Sequence, residues 1–254
     1  MGPVTDVERA FEELQVLRAN VADSPGAPLS DELGAVARTY RLWQENALEF
    51  VRFLARFDED VTARLELWQV ENREGFNAFL DEVDRLLHNY LAAASTLRDH
   101  TRCLWQQYPP SDPALVAEYD ERVRELFAES PMAQFVQGLR NFSMHSKLPL
   151  VQGRFTWSVD GGEHQTVVLP KASLLEWDRW NVLAREFIES RHEFDLRAVL
   201  AEYSAVVDDF NQWFGAAFVK GHLAAFEDLN ERKVRFNEAL DRSGLRSGWD
   251  AKAE

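Results

Sequence analysis

The chain has 254 residues, 46% of them hydrophobic, so it can bury a substantial core and is not intrinsically disordered. Its 43 acidic residues outnumber 28 basic ones, and the net charge of −15 excludes non-specific coating of DNA or RNA and attachment to anionic membranes. The longest uncharged run, residues 86–97, is shorter than the roughly 18 residues of a spanning helix. No signal-peptide pattern is present, and the single cysteine, Cys103, is predicted to be a buried thiol, so we expect a cytoplasmic protein.

Apolar residues recur at helical spacing through the first half of the chain. Pro25 and Pro28 predict a break after the first helix. Asp112 and Ser130 are capping residues that each precede a proline, so we expect a new helix directly after each of them. These signals predict helices over residues 4–21, from about 30 to 54, from 65 to the prolines at 109 and 110, from 113 onward, and from 131 to about 146.

The period of the pattern changes from 3.6 to 2 beyond Pro149. Phe155, Trp157 and Val159 alternate with polar residues, and the sequence Asp-Gly-Gly at 160–162 is typical of a tight reversal. A second β-branched, apolar run follows it. We therefore expect one β-hairpin near residues 151–169.

Helical patterns resume after the hairpin. Residues 173–176 and 190–193 each fit a capping box, and a last apolar stripe extends from Leu196 toward Arg242. The sequence therefore predicts an all-α fold, an up-and-down bundle of long helices with one β-hairpin insertion. We expect a single helical domain over residues 1–242 and a flexible tail over 243–254.

Reactive side chains fall together in one place, the sequence Arg-Asn-Phe-Ser-Met-His at residues 140–145. His145 is predicted at a helix carboxyl terminus, where the helix dipole favours the imidazolium, and Arg140 can bind a phosphate through two parallel hydrogen bonds. Together they are a minimal set for cleaving RNA through its own 2′-hydroxyl. Lys147 and Arg154 follow closely and are candidate substrate-binding cations.

The spacing sets a geometric condition on this chemistry. Five residues along a continuous helix turn through about 500°, so the Arg140 and His145 side chains point about 140° apart. They converge only if the helix frays, the arginine bends round, or a second chain contributes.

Residues 140–145, followed by Leu148-Pro149, resemble the Arg-x4-6-His motif of the HEPN superfamily, and Asn141 fits the residue that often follows the arginine in that family. The resemblance implies a metal-independent endoribonuclease, a toxin or defence-system component in which two chains pair and both motifs line one cleft. Arg140 would bind the scissile phosphate, His145 would act in acid–base catalysis and Asn141 would orient them. The implied partners are RNA, a second copy of the chain and an antitoxin or regulatory protein.

A non-catalytic interpretation stays open. Arg140 then pairs with a carboxylate on a neighbouring helix, His145 caps its helix, and the protein is an acidic helical bundle that serves as an interaction or regulatory subunit. A third interpretation is that the motif binds a ligand without turnover. Three tryptophans flank the motif, namely Trp157, Trp177 and Trp180, and they either wall a base-stacking pocket or pack the hairpin onto the bundle.

No metal or cofactor is expected. The sequence contains neither a His-Glu-x-x-His motif nor a cysteine cluster, which argues against a zinc site. A di-iron site in a bundle needs two Glu-x-x-His pairs, and only Glu189 with His192 forms one.

Overall fold

The computed structural model describes residues 6–149, 151–158 and 162–245. This part of the chain contains ten α-helices and three β-strands. The helices are α1 Asp6–Ala22, α2 Gly26–Glu59, α3 Val61–Leu67, α4 Arg73–Gln107, α5 Pro113–Val123, α6 Pro131–His145, α7 Lys171–Leu174, α8 Val182–Glu189, α9 Leu196–Gly221 and α10 Leu223–Ser243. A π-helical turn, Arg124–Ala128, follows α5, and the strands are β1 Gln152–Ser158, β2 Gly162–Pro170 and β3 Glu193–Asp195. The predicted all-α bundle with a β-hairpin insertion is confirmed.

Large aromatic side chains fill the centre of the bundle. Helix α2 packs against α4 and α9, and α6 packs against α4, α8 and α9. Trp43 of α2 lies against Tyr90 of α4 with ring centroids 6.1 Å apart, and Phe135 of α6 is completely buried. Each such side chain contributes roughly 1.5–3 kcal/mol when it is removed from water. The apolar stripes predicted on these helices therefore meet in one core.

The first and last helices pack against each other around a smaller apolar cluster of Leu14, Ala239 and Leu240. Polar contacts also join the carboxyl end of α1 and the residues after it to α10. Ser24 Oγ donates to Asp228 Oδ2 at 2.6 Å, and Arg232 Nη1 donates to the Asn20 carbonyl at 2.8 Å.

The three strands form one antiparallel sheet in the order β1-β2-β3, with Gln152 opposite Val168 and Leu169 opposite Phe194. The hairpin packs against Trp68, which directly follows α3, and against Phe76 of α4, since both rings lie close to Gly153. Trp68 Nε1 donates to Gln165 Oε1 at 3.0 Å. Residues 160 and 161 of the predicted reversal lie outside the described residues, as do residues 246–254 of the predicted tail.

The long helix predicted from Leu65 is in fact two helices. Asn72 separates them, and its side chain accepts a hydrogen bond from the Gly75 N–H at 3.2 Å and caps α4. The apolar stripe continues on both sides of this cap, so periodicity alone does not reveal the break. Two further details differ, because α2 begins at Gly26 rather than near Ser30 and Cys103 is exposed.

The two capping boxes predicted after the hairpin were wrong, because neither of them caps the start of a helix. Ser173 lies inside the four-residue helix α7, and its hydroxyl donates to the Pro170 carbonyl at 2.9 Å. Helix α9 is capped by Asp195, which accepts from the Arg197 N–H at 2.8 Å, while Glu193 belongs to strand β3. The last stripe is likewise divided, since α9 ends before His222 and α10 begins after it.

Within the described residues, none of the helices has both the length and the apolar character that a membrane crossing requires.

Candidate functional site

The motif lies on helix α6, which the sequence positions through its cap and its apolar stripe. Ser130 accepts a hydrogen bond from the Ala133 N–H at 3.3 Å, and Pro131 occupies the first turn, as predicted. Phe135 and Leu139 are completely buried and fix the rotation of the helix about its axis. The helix ends at His145, where the Ser146 N–H donates to the Phe142 carbonyl at 3.0 Å.

Arg140 is half-buried and has no carboxylate partner among the described residues. Its Nη1 donates to Asn141 Oδ1 at 3.1 Å, and its Nε is buried without a hydrogen-bond partner. A buried N–H of this kind normally has an acceptor. The pairing of Arg140 with a neighbouring carboxylate, which the non-catalytic interpretation expects, is absent from the described part of the chain.

His145 is exposed at the last residue of α6. The helix is continuous from Arg140 to His145, so a turn of about 100° per residue leaves the two side chains pointing about 140° apart. Arg140 faces a small recess that Arg98 of α4 and Tyr203 of α9 also line, and His145 is not among the residues of that recess. One chain by itself does not bring the two side chains together.

The two predicted substrate-binding cations are each paired with a glutamate. Lys147 donates to Glu176, and Arg154 forms a two-pronged contact with Glu193 of β3. Both pairs are partly or largely exposed, and such pairs contribute about 1 kcal/mol or less to stability. The role of these cations in binding a substrate stays a prediction.

The tryptophans that flank the motif pack against it. The Trp177 ring stacks on Phe142 with centroids 5.5 Å apart, and Trp180 is buried with its Nε1 donating to the Leu174 carbonyl at 2.8 Å. Gly138 allows the close approach of the Trp180 ring to α6. Trp180 is therefore a core side chain packed against α6, and its role in packing the hairpin onto the bundle stays a prediction.

An acidic cavity of about 550 Å³ lies next to the carboxyl end of α6 and was not anticipated from the sequence. Asp81 and Asp84 of α4 line it together with Lys147 and Glu176. Burial raises the pKa of Asp84 to about 6, and the negative charge of Asp81 adds to the rise. The i, i+3 spacing of Asp81 and Asp84 places both on one face of α4, and it was the sequence signal that could have indicated this cavity. Among the described residues, no group of three or more His, Cys, Asp or Glu side chains is arranged to hold a metal ion.

Comparisons of this chain with protein-family models, with curated proteins and with solved structures find no match. The fold and the site therefore define a class only, a helical bundle with a β-hairpin and an Arg-x4-His motif at the end of one helix. The resemblance to the HEPN superfamily stays a prediction that rests on residues 140–145 and on Leu148-Pro149.

Proposed function

We propose that this protein is a metal-independent endoribonuclease that acts as a dimer, with Arg140 and His145 as its catalytic residues. The observation that carries the proposal is the state of Arg140. In a chain with 43 acidic residues, its guanidinium has no carboxylate partner among the described residues and contacts Asn141 instead. A guanidinium left in this state is available to a phosphate.

The proposed reaction is a transesterification followed by release of the product. A neutral imidazole removes the proton of the RNA 2′-hydroxyl, whose oxygen attacks the adjacent phosphorus. An imidazolium protonates the departing 5′-oxygen as the P–O bond breaks, leaving a 2′,3′-cyclic phosphate. Arg140 stabilises the additional negative charge of the pentacoordinate state.

Arg140 and His145 point in different directions on α6, so we propose that a second copy of the chain completes the site. One His145 cannot act as base and acid in the same step, and two chains supply two histidines. The exposure of His145 at the end of α6 leaves it accessible to a partner's motif. Lys147 and Arg154 would exchange their glutamate partners for phosphates, which costs little because the pairs are exposed.

The test is cleavage of single-stranded RNA in the presence of EDTA. We expect the wild type to produce 2′,3′-cyclic phosphate ends, and His145→Ala to lower the rate by at least about a hundredfold. His192→Ala is the matched control, since His192 is also exposed and lies outside the motif. Absence of cleavage by the wild type across varied RNA substrates, or equal activity of wild type and His145→Ala, would contradict the proposal.

The second candidate function is a non-catalytic interaction or regulatory subunit. The separation of Arg140 from His145 within one chain and the pairing of Lys147 and Arg154 with glutamates favour it. A wild-type protein that is inactive on RNA and purely monomeric at high concentration would select this candidate over the ribonuclease.

A further inference from the structure

A second cavity, of about 320 Å³, lies between α4, α5, the π-helical turn, α6 and α9. Its volume falls in the lower part of the range of roughly 300–1,000 Å³ that is typical of small-molecule sites. Aromatic rings form much of its wall, contributed by Tyr119, Phe127, Tyr203 and Phe210. Such a wall favours a ligand with a flat apolar body.

The charge of this cavity is opposite to that of the chain. Arg98 and Arg102 of α4 line it, and no aspartate or glutamate is among its lining residues. Asp99 contacts both arginines, at 3.1 Å and 3.6 Å, so one carboxylate is shared by two guanidinium groups and the mouth keeps a positive charge. Within a protein of net charge −15, this is a local site for an anion.

Tyr203 supplies a hydrogen-bond donor inside the cavity. Its side chain is only 8% exposed, and its phenol has no hydrogen-bond partner in the part of the chain that the structure describes. The neighbouring Tyr90 phenol, in contrast, is 2.9 Å from Ser204 Oγ. With no acceptor among the described residues, the Tyr203 hydroxyl can donate to a ligand atom in the cavity.

Arg98 and Tyr203 act on the same region of the cavity. Burial raises the pKa of the Tyr203 phenol to about 12, and the positive charge of Arg98 opposes this rise. Arg98 and Tyr203 both line this cavity and also the smaller recess beside it. A single anionic group near the mouth can accept from both.

The π-helical turn Arg124–Ala128 forms part of the cavity's rim, through Phe127 and Ala128. Such turns are rare within helical segments and frequently occur at functional sites. The local backbone is therefore of a kind that binding sites often use.

We propose that this cavity binds a small amphipathic molecule with an aromatic body and one anionic group. The aromatic body lies among Tyr119, Phe127 and Phe210, and the anion accepts hydrogen bonds from Arg98 and the Tyr203 phenol. The proposal does not depend on the ribonuclease proposal, because neither Arg140 nor His145 lines this cavity.

The first experiment compares two fluorescent probes that differ in charge. We expect 1-anilinonaphthalene-8-sulfonate to bind the folded wild type saturably with one site per chain, and to bind more tightly than its neutral analogue N-phenyl-1-naphthylamine. Ala128→Trp, which places an indole at the exposed rim of the cavity, should abolish binding of both probes. Unsaturable binding, or unchanged binding to Ala128→Trp, would overturn the proposal.

One variant on α4 and one on α9 then test the anion site. Arg98→Gln should weaken binding of the sulfonate about tenfold and leave the neutral probe within about twofold, and Tyr203→Phe should weaken the sulfonate by a similar factor. Arg85→Gln is the matched control, because Arg85 lies on the same helix at a similar exposure and does not line the cavity. A loss of sulfonate binding as large in Arg85→Gln as in Arg98→Gln would reject a specific site.

Competition identifies the anion. Naphthalene-1-carboxylate and 1-naphthyl phosphate are each titrated against the bound sulfonate, with 1-naphthol as the uncharged control. Displacement by one of the two anions at concentrations where 1-naphthol fails supports the proposal and identifies a carboxylate or a phosphate as the preferred group. Equal displacement by all three, or by none, overturns it.

Discussion

Replacing Gly138 with alanine should destabilise the protein, although alanine is the better helix former. A Cβ built at Gly138 lies 2.5 Å from both Cε3 and Cζ3 of Trp180, about 1 Å inside ordinary contact distance. The Trp180 ring cannot move away easily, because it is stacked on Phe135 and its Nε1 is hydrogen-bonded to the Leu174 carbonyl. Overpacking of this kind costs about 1–3 kcal/mol, and it exceeds the helix-propensity gain of roughly 1 kcal/mol.

The same substitution at Gly215 provides the control. Gly215 lies within α9, and a Cβ there meets nothing within 4 Å. Gly215→Ala should therefore keep the propensity gain and raise the melting temperature by about 1–3 °C, whereas Gly138→Ala should lower it by about 2–5 °C. Thermal unfolding followed by circular dichroism measures both shifts.

A double-mutant cycle identifies the cause of the difference. In a Trp180→Phe background the ring is smaller, so the penalty of Gly138→Ala should shrink by more than about 0.5 kcal/mol. If Gly138→Ala is as stable as Gly215→Ala, or if its penalty is the same with Phe at 180, the packing of Trp180 on α6 is not as described.

Three further predictions concern α4 and the motif. At pH 7, Asp84→Asn should raise the free energy of unfolding by about 1 kcal/mol. The reason is that burial raises the pKa of Asp84 to about 6 and so disfavours its charged form in the folded protein. The figure is reduced because the side chain is partly exposed to solvent. The stability that protonated Asp84 provides is complete below its unfolded pKa near 4 and is lost as the pH rises through 6, so urea titrations at pH 4 should show no gain from the variant. Asn72→Ala should lower stability by about 1 kcal/mol in urea unfolding, since it removes the cap of α4, and a change below about 0.3 kcal/mol would show that the cap is unimportant. In a Cys103→Ser background, Met144→Cys should form an intermolecular disulfide on oxidation if the motifs of two chains face each other, and purely monomeric protein on non-reducing gels would count against the proposed dimer.

Local signals in the sequence were sufficient for features that depend on neighbouring residues. Asp112 and Ser130 cap the helices that were expected to follow them, with their side chains accepting from the Ala114 and Ala133 N–H groups. The hairpin is recognisable for the same reason, since the alternation of its residues is a local property. These features are formed over a few residues and do not require a distant partner.

Features that depend on distant residues were missed. Strand β3 has only three residues, and it exists because Phe194 pairs with Leu169, 25 positions earlier in the chain. The cavity between α4 and α9 joins Arg98 to Tyr203, which are more than 100 positions apart. Residues so far apart in the chain have no fixed spacing, so a search for sequence motifs cannot identify the pair.

The placement of the arginines changes what the net charge implies. Exposed pairs such as Arg85 with Glu82 and Arg124 with Glu121 neutralise positive charge on the surface while adding little stability. Arg98, which shares its carboxylate, and Arg140, which has none among the described residues, both line one small recess. A chain that repels polyanions overall therefore has a small recess lined by two arginines, one of them in the motif. The proposed ribonuclease activity depends on Arg140 and His145, and the proposed ligand binding depends on Arg98 in the larger cavity. Arg98→Gln should therefore impair probe binding without abolishing RNA cleavage, and His145→Ala should do the reverse.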